Sequence, residues 1–125
     1  MRKLKLFTDG ARSIGLFAVL MPVFAAAQDS PDALVQEYAV CAAYYFNAVN
    51  AKPMTEYEDL YSAGERAFNE ALLLRDRTAV DDLVANASAV MTQMTGQNWL
   101  NFHRVDAKYA APCAQLLSEE KATAP

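Results

Sequence analysis

The chain has 125 residues, 54% of them hydrophobic and 21% charged, so it has room for one small domain and is neither a disordered nor a low-complexity chain. Its 11 Lys and Arg against 15 Asp and Glu give a net charge of -4. Four of those bases (Arg2, Lys3, Lys5, Arg12) and one acid (Asp9) fall in the first thirteen residues, so the remainder carries 7 basic and 14 acidic groups, or -7. A body that acidic repels phosphate backbones, which argues against nucleic acid and anionic membrane surfaces as partners.

The first segment reads as an address. A basic stretch, residues 1–12, precedes the uncharged run Ser13 to Ala27, which ends in Ala25-Ala26-Ala27 before the polar Gln28-Asp29-Ser30. Basic start, short apolar middle and small residues before a polar beginning are the parts of a secretory signal peptide. The apolar run is about 15 residues, against the roughly 20 a spanning helix needs, and Pro22 interrupts it. We expect cleavage after Ala27, a single helical domain over 28–125, periplasmic or secreted, and no stable membrane anchor after cleavage. Cys41 and Cys113, the only cysteines, both lie beyond that point. An even count in a short exported chain reads as one disulfide.

Past residue 28 the pattern is helical throughout. Alanine is frequent, isoleucine is absent, and only Gly64 and Gly96 occur. The first helix is expected over about Pro31 to Asn50, with Ser30 as N-cap and Pro31 at its first position. Leu34, Tyr38, Cys41, Tyr45, Ala48 and Val49 share one side, and Val35, Ala42 and Phe46 widen it. Apolar over more than half its circumference, this helix should be the most buried. The second is expected from about Glu56 to Asp76, with Thr55 and Glu58 in a capping-box pattern. Its stripe is Tyr57, Leu60, Tyr61, Gly64, Ala67, Phe68, Ala71 and Leu72, with acids mainly on the other face. The third is expected over about Ala79 to Met94, capped by Thr78 and stopped by Gly96. The fourth should begin near Asn98, carry Trp99, Phe102, Asp106, Tyr109, Cys113, Leu116 and Leu117 on one stripe, and be kinked or interrupted at Pro112.

Connections of roughly 5, 2 and 3 residues force antiparallel neighbours, hence an all-α, up-down-up-down four-helix bundle. In that topology the first and last helices are adjacent. Cys41 and Cys113 then fall at similar heights, so topology and disulfide support each other.

Four features carry the functional expectations. Asp106 lies in an apolar stripe, where a carboxylate needs partners. His103, one turn earlier, could pair with it to orient a proton donor or metal ligand. The preferred reading is structural: Asp106 accepts from a buried Tyr hydroxyl or faces water at the bundle edge. Met91 and His103 fall roughly level across a tight turn and could form a soft metal or haem pair, yet the C-x-x-C-H haem attachment motif is absent. Tyr44 is expected on the flank of the first helix beside Val40 and Glu37, as an exposed surface for a partner or a homodimer contact. Asn86-Ala87-Ser88 matches a glycosylation acceptor but sits mid-helix with Ala87 in the core stripe, and is read as chance.

No phosphate-binding loop, nucleophile elbow or cysteine-rich metal knot is present. The reading is a small exported protein that binds rather than catalyses, with no cofactor: an inhibitor, immunity-type protein, adaptor or envelope chaperone with a protein partner in the cell envelope. Val40, Tyr44 and the acidic face of the second helix would carry it. The alternative is a metal or haem carrier using Met91, His103 and Asp106.

Overall fold

A computed structural model describes residues 30–123, with side chains placed through residue 119. The expected leader and its cleavage point lie outside the described residues. From Leu34 onward the described residues form one compact unit.

Four α-helices build it: α1, Pro31–Ala51; α2, Tyr57–Leu72; α3, Arg77–Thr95; and α4, His103–Thr123. Short 3-10 turns precede α2 at Met54–Glu56 and α4 at Trp99–Asn101. The described residues contain no strand. This is the expected all-α four-helix bundle, and Cys41 on α1 is bonded to Cys113 on α4 with their Cα atoms 5.4 Å apart.

The disulfide also sets the register. Asp106 lies seven residues before Cys113, and Ala48 seven after Cys41, so antiparallel packing puts Asp106 level with Ala48. Its actual partners, Tyr44 and Lys52, stand one turn to either side of that height. The end of α1 and the start of α4 therefore meet at the same end of the bundle.

Helix α1 is the core element, as its wide apolar circumference predicts. It contributes eight buried residues, against three from α2 and four from α3. It touches all three other helices: the disulfide joins it to α4, Asn47 donates through Nδ2 to Ser88 Oγ on α3 (3.1 Å), and the Phe46 ring lies against Gly64 of α2. Met91 and Val80 of α3 and Val105 and Cys113 of α4 are among the most deeply buried side chains.

Gly64 is where α2 admits that ring. A Cβ there would lie 2.6 Å from Phe46 Cε1, closer than carbon atoms pack. Gly64→Ala gains about 1 kcal/mol of helix propensity but must displace an aromatic ring. We expect a net loss of about 1–2 kcal/mol in urea unfolding. Phe46→Leu should recover part of it in the double variant, because the two sites are coupled.

Element ends depart from the sequence reading in informative ways. Ser30 caps α1 as expected, its Oγ accepting from the Ala33 amide at 3.1 Å. The Thr55–Glu58 box does not form; Thr55 lies in the 3-10 turn and α2 has no side-chain cap. Thr78 is inside α3, which begins at Arg77 behind Asp76. Gly96 ends α3 with φ 63°, and Gln97 follows in the same left-handed region. The Gln97 amide reaches back to the Thr92 carbonyl (3.1 Å), completing a C-terminal cap. Asn98 accepts from the Leu100 amide and starts the next turn. Helix α4 runs unbroken through Pro112.

Candidate functional site

The seam between α1 and α4 holds both a polar cluster and an apolar groove. Asp106 is the centre of the cluster. Its Oδ1 accepts from the Tyr44 hydroxyl at 2.6 Å, and its Oδ2 pairs with Lys52 Nζ at 2.6 Å. Neither charged side chain is fully buried: Lys52 is 25% and Asp106 29% exposed, so water still screens the pair. Tyr44 is 3% exposed. Its ring stacks on Phe102 (6.0 Å between centroids) and meets Tyr45 edge-on (5.0 Å). Lys52 Nζ also lies 6.0 Å from the Phe102 centroid.

This corrects the expectation for Tyr44. It does not sit on an exposed flank; it points into the seam, where its hydroxyl donates a hydrogen bond to Asp106. The reason is the polar stem of the cluster. A phenol can be buried at low cost when a carboxylate waits for it, and α1 is apolar so far around that periodicity alone could not choose its innermost line. Val40, one turn earlier, is half-buried on the groove described below. The pair therefore does not form one exposed surface.

His103 and Asp106 are not paired. His103 is exposed, and the carboxylate is taken by Tyr44 and Lys52. Met91 is 1% exposed in the core, whereas His103 is exposed. Among the described residues, no group of three or more His, Cys, Asp and Glu is arranged to hold a metal ion. Tyr57 and Tyr61, expected on an inward face, are 39% and 42% exposed.

Lys52 is the member that sequence reasoning missed. The signal was there: Lys52 is one turn beyond Ala48, the residue that a Cys41–Cys113 link places level with Asp106.

Burial and the Asp106 hydrogen bond, in that order, push the Tyr44 hydroxyl well above its usual pKa of 10; burial also raises Tyr45. The neutral phenol is the form that fits the fold. Unfolded Tyr loses its proton near pH 10, folded Tyr44 only at higher pH. Its contribution is thus complete below pH 10 and is lost as pH rises above it, by about 1.4 kcal/mol per pH unit until the folded group titrates. Unfolding midpoints at pH 8 and pH 11 should drop steeply for the wild type and less for Tyr44→Phe.

Beside this cluster, further along the seam, a groove of about 210 Å³ opens to solvent. Val40 of α1 and Tyr109, Pro112 and Leu116 of α4 form its walls, and the Cys41–Cys113 bond lines it between them. The stems of Gln36 and Glu37 complete a lining that is apolar almost throughout. Pro112 has no N–H, so the Lys108 carbonyl lacks its helical donor, but the ring adds apolar surface to the wall. The polar cluster and the disulfide both bridge the seam, and the groove is a notch of a size to take one apolar side chain. Nothing in it resembles a nucleophile with a base beside it.

These features define a disulfide-stapled four-helix bundle with an apolar notch between its first and last helices. No family model, curated protein or solved structure matches the chain.

Proposed function

We propose that this is an exported protein, periplasmic or secreted, that acts by binding a protein partner in the cell envelope and performs no catalysis. The observation that carries the reading is the notch formed by Val40, Tyr109, Pro112 and Leu116 over the disulfide. Apolar walls are the usual make-up of a small hot-spot pocket, which accepts one anchoring side chain of a partner. The disulfide supports export, because such bonds persist in oxidising compartments. The basic and apolar start of the chain supports the same route. No described helix is long and apolar enough to cross a membrane.

The binding role is tested by a photo-crosslinking residue at position 40, in protein exposed to an envelope extract. The expected result is one discrete adduct, abolished by Leu116→Glu in a variant that keeps its helicity. No adduct, together with a strictly monomeric protein, contradicts the proposal. An adduct unaffected by Leu116→Glu moves the binding surface away from the notch.

A further inference from the structure

A second cavity, of about 330 Å³, lies away from the seam and has a different chemistry. Its walls are aromatic: Phe46 from α1, and Tyr61 and Phe68 from α2. Gly64 lets the Phe46 ring stand there. The Phe46 and Tyr61 centroids are 5.7 Å apart, and Tyr57 stacks on Tyr61 at 5.8 Å with the ring planes 7° from parallel. Two carboxylates, Glu65 and Asp81, line the same cavity against a single cation, Arg77. The lining is therefore net negative as well as aromatic.

The chain's own cation shows what this surface attracts. The Arg77 guanidinium lies 5.2 Å from the Phe68 centroid, within the range of a cation–π contact. It is held loosely, with its Nε 3.4 Å from Asp81 and the side chain 73% exposed. Ring faces carry negative potential, and they attract cations most strongly when the cation needs little hydration. An ammonium with N–H groups requires several acceptors close by. A quaternary ammonium requires none, and it is satisfied by ring faces with carboxylates nearby. The volume falls within the roughly 300–1,000 Å³ of small-molecule sites.

We infer that the cleft walled by Phe46, Tyr61 and Phe68 binds a small organic cation of the quaternary-ammonium class. Glu65 and Asp81 supply the neutralising charge, and Arg77, over the Phe68 ring, competes with the ligand for that face. This site is independent of the notch between α1 and α4.

The test compares choline with its neutral isostere, 3,3-dimethyl-1-butanol, which replaces the charged nitrogen by carbon. Both are titrated into the oxidised protein at matched ionic strength, and the ring-proton NMR shifts of Phe46, Tyr61 and Phe68 are followed. Choline should saturate with a Kd on the order of 1 mM, as a weak cation–π site allows, and the alcohol should bind at least about fivefold more weakly. Arg77 and Tyr61 are both exposed enough to replace with the fold intact, which circular dichroism checks. Tyr61→Leu should weaken choline at least about fivefold. Arg77→Ala should tighten it at least about twofold, since it removes a competing cation. Equal binding of choline and the alcohol, no saturable shift up to about 50 mM choline, or an unchanged Kd in Tyr61→Leu would each overturn the inference. So would weaker binding in Arg77→Ala, which would make Arg77 a ligand-binding group and not a competitor.

Discussion

Replacing Cys41 and Cys113 together by alanine should remove about 4 kcal/mol of unfolding free energy. The bond spans a sequence separation of 72, and closing a loop of that size restricts the unfolded chain by that amount in the chain-entropy description. Domains of this size have about 5–15 kcal/mol in total, so the variant should melt far below the wild type. Both cysteines are buried, at 5% and 1% exposure, and alanine leaves their sites apolar. Urea unfolding of the variant should match that of wild type treated with reductant. A loss below about 1 kcal/mol would mean that packing along α1 and α4 already holds the seam. Because the bond also lines the notch, adduct formation at position 40 should fall with it.

The second large effect is expected at Asp106. Asp106→Ala leaves the Tyr44 hydroxyl without an acceptor at a position 3% exposed, which costs about 1–3 kcal/mol. Lys52 loses its partner too, but at 25% exposure it can turn to water, so it adds little. The cost therefore resides in the tyrosine. Asp106→Ala combined with Tyr44→Phe should then be more stable than the sum of the single changes, since the orphaned hydroxyl is gone. Asp106→Asn keeps an acceptor and should fall between. Strict additivity of the two changes in a double-mutant cycle would show that the 2.6 Å contact has no energetic weight in solution.

The architecture was legible because its determinants are local or combinatorial. Helix periods, short connections and one possible cysteine pairing lead to a bundle with α1 and α4 adjacent. The burial of α1 follows from how far its apolar residues extend around it. The inward turn of Tyr44 was not legible, since a helix apolar on most sides does not reveal which line faces the neighbour. That choice was made by Asp106, 62 residues away in sequence. Tyr57 and Tyr61 misled in the opposite sense: counted as apolar, they fit the stripe of α2, but they are 39% and 42% exposed and their rings stack on each other. The starts of α2 and α3 differ for a smaller reason. Thr55 and Thr78 each have a neighbour that starts the helical hydrogen bonding instead, at Tyr57 and Arg77.

Of the candidate site, Val40 and the two cysteines were legible, and they are the residues that line the notch. Its other wall was read only as a core stripe. Tyr109 and Leu116 belong to that stripe, but Pro112, read only as a break in α4, sits on the same wall within a continuous helix. Where a stripe is left uncovered depends on how closely two helices approach, which spacing along one chain does not encode.

Peptide mapping of unreduced protein, recovered from the compartment where it accumulates, tests the account at its root. The tryptic fragment containing Cys41 should be covalently joined to the one containing Cys113, and the chain should start at Gln28. Recovery of both fragments separately, with each thiol open to alkylation before reduction, would contradict it.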